Sequence, residues 1–336
     1  MNHVHLFIYS VRAAKSGQAT LAKLAATTVL NGVIKDGASL QGGTAMAQQI
    51  QWFPGHMAKT LRELREEMGL CDCIVEVCDA RIPRSSRNPE LLRIAESKTR
   101  LLLLNKEDLA DAATTEEWLK FYAAKGQAAM ATQAQRQGSA KAVARKILEL
   151  NEEKIARARS RGRINRPIRC FVAGIPNCGK STLVNSLVGR KAAATSNKPG
   201  VTRSLSWLKA GTHLSVLDTP GLLWPKVEER EAAIVLGACA AIKDDVMPLT
   251  ELAGEFLLLL CQRYAGMMER EYGLVLTNAD YTEAEQGELL LEALARNRGL
   301  LRQGSEADLQ RAARHILTAF RSGSLGHLSL ESPEQE

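Results

Sequence analysis

IRCFVAGIPNCGKSTLVNSLVG, residues 168–189, is the stretch that decides the fold. IRCFVAG is an apolar run of strand length, and STLVNSLVG reads as a helix closed by Gly189. Between them, Gly174-Ile-Pro-Asn-Cys-Gly-Lys-Ser181 matches G-x-x-x-x-G-K-[ST], a loop whose backbone N–H groups curl around nucleotide phosphates. The glycines permit the close approach, and the following helix adds the positive end of its dipole. Lys180 is placed to reach the β- and γ-phosphates, and the Ser181 hydroxyl to ligate Mg2+. Gly174, Asn177, Cys178, Gly179 and Thr182 complete the expected phosphate cradle. A chance glycine-rich turn would not come framed by a strand and a helix.

Outward from this centre, strands and helices alternate. MAKTLRELREEM (57–68) has helical spacing, with Met57, Leu61, Leu64 and Met68 on one face. CIVEVCDA (73–80), RLLLLN (100–105) and the weaker AAMAT (128–132) read as strands, and Ser139 to about Arg157 as one helix. SLSWLKA and HLSVLD (204–210 and 213–218) look like a hairpin. Such alternation implies an α/β fold, a doubly wound and mostly parallel sheet. After Pro225 only helices follow, most clearly 253–271 and 307–323. The expected organisation is therefore a nucleotide-binding domain over 46–225 and a small all-helical domain over 226–336. Residues 1–45 carry Arg12, Lys15, Lys23 and Lys35 against one acid, Asp36. They suit an organelle transit peptide, a disordered leader, or sequence upstream of a natural start at Met46.

Composition narrows the class. The 336 residues are 45% hydrophobic and 24% charged, as in a soluble globular protein, with no apolar stretch near the roughly 20 residues of a membrane span. A net charge of +7 favours an anionic partner, while 4% aromatic content leaves few platforms for stacking bases. Seven cysteines form no C-x-x-C pair, which speaks against zinc. Cys71, Cys73 and Cys78 lie along one apolar run, where reduced thiols act as small hydrophobes in a reducing compartment. The cytoplasm is the expected location, with an organelle reached through residues 1–45 as the alternative.

The base is read elsewhere. Asn105-Lys106-Glu107-Asp108 follows the RLLLL strand and resembles the guanine-specificity motif N-K-x-D of GTPases. The Asp108 carboxylate only accepts hydrogen bonds, and guanine offers it two donors, N1–H and the 2-amino group. Asp218-Thr-Pro-Gly221 resembles switch II, with Asp218 holding Mg2+ and the Gly221 N–H meeting the γ-phosphate. Pro199-Gly-Val-Thr202 resembles switch I, with Thr202 available to Mg2+. Ala131-Thr132 sits where GTPases place a backbone contact to the guanine O6. An ATP-using P-loop kinase is disfavoured by N-K-x-D.

The order is unusual, because N-K-x-D and the base loop precede the P-loop. That is the pattern of circularly permuted GTPases, and residues 51–336 closely resemble the ribosome biogenesis GTPase A (YlqF) family. The matches are Trp52-Phe-Pro-Gly-His-Met-Ala-Lys59, Asp79-Ala-Arg-Ile-Pro83, N-K-x-D, GIPNCGKS, NKPGVT (197–202), DTPGLLWP (218–225) and GACAAIKD (237–244). Residues 1–45 have no counterpart in the bacterial family. The resemblance implies a GTPase that binds and hydrolyses GTP at a late step of large (50S) subunit assembly. Its implied partners are a large-subunit precursor, rRNA and ribosomal proteins, and a monomer is expected. A nucleotide-switched RNA-binding checkpoint without turnover is the alternative, against which Lys180, Ser181, Thr202 and Asp218 argue.

The resemblance also implies that the helical tail meets RNA, which would enlist Arg296, Arg298, Arg302, Arg311, Arg314 and Arg321. Charge alone allows a solvated helix face instead. The basic run Lys154–Arg169 is equally a solvated linker or a nucleic-acid contact. Leu222 stands where Ras-like proteins carry the glutamine that orients the attacking water. The resemblance supplies His56 in its place, with Lys180 and Thr202 completing the catalytic set. Asn177 resembles the asparagine of potassium-stimulated GTPases, which implies K+. Cys178 is a small filler, or else a thiol whose pKa the phosphate nest lowers. Asp108→Asn is expected to weaken GTP binding and shift preference to xanthosine triphosphate, and unchanged GTP affinity in a titration would remove Asp108 from the base site.

Overall fold

The computed structural model describes residues 66–88, 98–163, 166–189, 206–219, 229–242, 244, 247–276 and 281–335. All of them belong to one compact unit, Gln49–Glu336. Its centre is a six-stranded sheet of β1 (Cys73–Asp79), β2 (Thr99–Asn105), β3 (Ala129–Thr132), β4 (Ile168–Gly174), β5 (Ser206–Ala210) and β6 (Leu214–Asp218), in the order β3-β2-β1-β4-β6-β5. Every pairing is parallel except β5 with β6, which confirms the doubly wound, mostly parallel sheet.

The strands form because both faces are covered. All seven residues of β1 are buried, so the run is mostly apolar instead of alternating, with Glu76 and Asp79 as its buried acids. On one face α1 (Ala112–Ala124) lays Trp118 and Tyr122 over Cys78, Leu102 and Leu104. Further along the chain come α2 (Ser139–Glu149), α3 (Glu152–Ser160) and the P-loop helix α4 (Lys180–Val188), which Gly189 closes in the left-handed region at φ 75°. The helical part comprises α5 (Arg230–Ala238), α6 (Leu249–Arg263), α7 (Ala265–Tyr272), α8 (Glu283–Asn297) and α9 (Leu309–Ser322), with α6 packed against α8 and α9.

Two expected helices prove to be pairs. The one over 139–157 breaks at Leu150–Asn151, where the Asn151 side chain donates to the Ile147 carbonyl at 2.8 Å and competes with the helical ladder. The one over 253–271 breaks at Tyr264, whose hydroxyl is held by the Ser329 backbone, donating to its carbonyl at 2.6 Å and accepting from its N–H at 3.0 Å. Residues 66–69 are helical, as the end of 57–68 should be, and the start of that helix lies outside the described residues.

The helical part has one steric hinge point. Gly254 of α6 faces Gly287 of α8, and a Cβ on Gly287 would stand 2.8 Å from the Gly254 carbonyl carbon. Only two glycines let the backbones meet so closely. Gly287→Val is expected to destabilise the protein by about 2 kcal/mol or more through overpacking. An unchanged denaturation midpoint would show that α6 and α8 separate at no cost.

Candidate nucleotide-binding site

Register brings the site together. Asp79 pairs with Asn105, Asn105 with Thr132, Val77 with Gly174 and Val172 with Asp218, so the carboxyl ends of five parallel strands share one edge. The strand order reverses between β1 and β4, and the crevice beyond such a switch point is where open α/β sheets bind ligands. The P-loop leaves β4 at that point.

Asn105 joins the two motifs. Its Nδ2 donates to the Cys178 carbonyl in the P-loop at 2.7 Å, and its Oδ1 accepts from the Ala134 N–H in the loop after β3 at 2.9 Å. Ser186 of α4 adds a bond to the Ala134 carbonyl at 2.9 Å. Gly179, at φ 92°, leaves room for this amide, since a Cβ there would stand 2.2 Å from Asn105 Nδ2. Thr132 is buried at the end of β3, with Ala131 half-buried before it. The loop backbone that Asn105 fixes is that of Ala134, which sequence reasoning did not single out. Asp108 is exposed at the rim, in the 3-10 turn Glu107–Leu109.

Lys106 adopts φ 61°, and its Nζ is 2.8 Å from Asp79 Oδ2. Asp79 is also gripped by Arg81, through Nε at 2.9 Å and Nη2 at 2.8 Å, and both residues are 1% exposed. Burial alone would raise the Asp79 carboxyl, but the charges of Arg81 and Lys106 outweigh it and hold it well below the usual carboxylate range. Arg81 Nη1 in turn donates to the Phe320 carbonyl of α9 at 3.1 Å, with its guanidinium 4.5 Å from that ring. The tail beyond α9 continues the contact. Leu330 N–H donates to the Arg81 carbonyl, Leu328 N–H to the Leu109 carbonyl, and the buried Glu331 carboxylate accepts from Arg84 and Ser85 N–H.

In the P-loop, Lys180 is 5% exposed at the start of α4, and Ser181 and Thr182 follow in its first turn. Asn177 donates from Nδ2 to the Ala240 carbonyl at 2.6 Å, which ties the cradle to the link between α5 and α6. Of the two readings of Cys178 the structure favours the first: burial pushes the thiol up to about 11, against the pull of Lys180. It is a filler. At the end of β6, Thr219 is buried and its hydroxyl donates to the Val172 carbonyl at 2.7 Å, a bond that the D-x-x-G reading passed over. His56, Thr202 and Gly221 lie outside the described residues, as does the side chain of Asp218. Of the oxygen ligands Mg2+ favours, the Ser181 hydroxyl belongs to the first turn of α4, after the loop that leaves β4, and Asp218 ends the neighbouring strand β6. That donor set fits the ion.

Four of the six tail arginines bind groups of this same chain, three of them while still exposed. Arg296 binds Glu292, Arg298 the Glu271 carbonyl, Arg302 Asp308, and Arg321 both Asp244 and the Gly237 carbonyl. Arg311 and Arg314 remain exposed on α9. The basic run Lys154–Arg169 starts within helix α3 and continues beyond it; Lys154 donates to the Asp72 carbonyl, while Arg159, Arg161 and Arg163 are exposed.

A P-loop after β4, an N-K-x-D loop after β2 and a D-x-x-G at the end of β6 define a GTPase whose motifs run in circularly permuted order. Residues 169–255 match the family model described as 50S ribosome-binding GTPase. The chain is 38% identical to ribosome biogenesis GTPase A of Bacillus cereus, over 85% of its own length and 95% of that protein's. It is 33% identical to the mouse mitochondrial ribosome-associated GTPase 1, over 84% of its length and 90% of the relative's. Among solved structures it is similar to GNP-bound YlqF from T. maritima, with a TM-score of 0.56 and 25% identity, covering 82% of this chain and 99% of that one. The chain belongs to the ribosome biogenesis GTPase A family. It is a GTP hydrolase of ribosome assembly.

Asn105→Ala removes both ties at once and leaves the Ala134 N–H and Cys178 carbonyl unpaired. The expected cost is about 2 kcal/mol of GDP affinity, roughly thirtyfold in Kd by titration calorimetry. A Kd within twofold of the parent's would show that the tie does not shape the site.

Proposed function

We propose that the GTP-bound protein docks on a late large-subunit precursor through rRNA and ribosomal proteins, and leaves once GTP is hydrolysed. The observation that carries this reading is the bond from Asn177 in the phosphate cradle to Ala240 in the helical region. Through it, a change at the γ-phosphate bears directly on the elements that would face the ribosome. Arg311 and Arg314, exposed on α9, and Arg159, Arg161 and Arg163 at the end of α3 supply cations for phosphate contacts. On this reading the chain divides into a GTPase domain over 46–225 and a ribosome-facing helical domain over 226–336, and acts as a monomer. Its place of action is the cytoplasm, with an organelle as the alternative that the mouse relative's name supports. Among the described residues no helix is long and apolar enough to cross a membrane.

In the reaction, the P-loop N–H groups and Lys180 hold the β- and γ-phosphates while Asp108 accepts from the guanine edge. Ser181, Thr202 and Asp218 would hold Mg2+, which neutralises charge on the transferred phosphoryl group. Asn177 would hold K+ through its side-chain oxygen, since its nitrogen is already engaged by Ala240. Leu222 can neither accept nor donate, so His56 orients the attacking water and Gly221 meets the γ-phosphate. A GTPase assay with and without large ribosomal subunits tests the proposal. Subunits are expected to accelerate the parent, and Arg311→Ala with Arg314→Ala to weaken that stimulation and flatten its salt dependence. His56→Ala should bind GTP normally yet lose more than about tenfold in stimulated rate. No stimulation of the parent by subunits would overturn the docking reading.

A further inference from the structure

Asp79-Ala-Arg-Ile-Pro83 takes no part in the reaction just described, yet its charged pair is buried and aimed at the guanine-reading loop. Lys106 stands between Asn105, tied to the P-loop, and Asp108, the base reader. It holds φ 61° without being glycine, a left-handed conformation that costs on the order of 1 kcal/mol or more and persists only where its surroundings impose it. The group its side chain reaches is the Asp79 carboxylate, 2.8 Å from Lys106 Nζ. That carboxylate cannot swing. Arg81 grips both of its oxygens and donates its own backbone N–H to Oδ1 at 3.1 Å, while its far end is fixed by the Phe320 carbonyl and ring.

We propose that Asp79 and Arg81 are positioning residues for base selectivity: they lock Lys106 in its left-handed turn, and the turn aims the Asp108 carboxylate at the N1–H and 2-amino edge of guanine. The chain of command runs from α9 through Arg81 and Asp79, each 1% exposed, to Lys106. A purely stabilising role is the competing account, and it is weak on physical grounds. A buried ion pair replaced as a whole by neutral groups of similar volume is often neutral or stabilising, because the desolvation of both charges is relieved together.

The proposal rests on Asp108 as the base reader, and the experiment separates the two ideas. Dissociation constants for GDP and for IDP, which lacks the 2-amino group, are measured for the parent, for Asp79→Asn combined with Arg81→Met, and for Asp108→Asn. Thermal melts accompany each. The paired replacement is expected to keep a cooperative melt, to raise the Kd for GDP about tenfold and that for IDP much less, so that the preference for GDP collapses. A folded paired variant that keeps the parent's GDP-to-IDP ratio overturns the proposal, whether or not its overall affinity falls. Should the paired variant fail to fold, Lys106→Met carries the test, because it leaves Asp79 and Arg81 bound to each other in the core. The same collapse of the ratio is expected, and an unchanged ratio again overturns the idea. If Asp108→Asn itself leaves the ratio unchanged, the base reader is wrong and the proposal falls with it. A collapse for Asp108→Asn alone would retain the reader and reject its positioning residues.

Discussion

The carboxamide of Asn105 is the interaction on which the site depends. It bridges residues 73 apart in the chain, the P-loop at Cys178 and the turn at the end of β2, and its other end pins Ala134. On the proposed reading, phosphate and base recognition are separate chemical problems solved on separate strands. One side chain with a donor and an acceptor sets the distance between their solutions. Permutation of the chain leaves this bond untouched, because it depends on strand register and not on the order in which the strands were made. Five carboxyl ends on one edge, with the switch point between β1 and β4, produce the same crevice whichever end of the sheet comes first.

Much of this was legible because the decisive segments carry local signals. A continuous apolar run such as LLLL at 101–104 must be a strand buried on both faces, and a glycine-rich loop between strand and helix has few uses besides phosphate. What stayed hidden was tertiary. The break at Tyr264 is made by Ser329, sixty-five positions away, and nothing near Tyr264 announces it. The break at Asn151 is local in cause, but an Asn in a basic helical run gives little warning that its amide will turn back on the ladder. Helix α1 was passed over because its inward residues, Trp118 and Tyr122, sit among alanines, threonines and acids that show no strong stripe.

Charge was the least readable property. Counted along the tail, six arginines allow either a nucleic-acid surface or a solvated face, and four of them bind acids or backbone carbonyls of this chain. Cys178 taught the reverse lesson about environment. Proximity to a phosphate nest argues for an acidic thiol, but burial to 1% exposure dominates and raises it. In both cases the formal charge of a neighbourhood mattered less than how much water remained in it.

The strap formed by the end of α9 and the residues after it has a consequence for how the protein comes into being. Arg81 meets Phe320 across 239 positions, Asp111 meets Ser329 across 218, and Arg84 meets Glu331 across 247. The segment around the N-K-x-D loop is therefore made more than two hundred positions ahead of the residues that pack behind it. Contacts of such sequence separation are entropically costly to close and slow to form. During synthesis the glycine-rich loop at 174–181 is therefore complete well before Phe320, Ser329 and Glu331 can take their places behind the segment from Asp79 to Asp111.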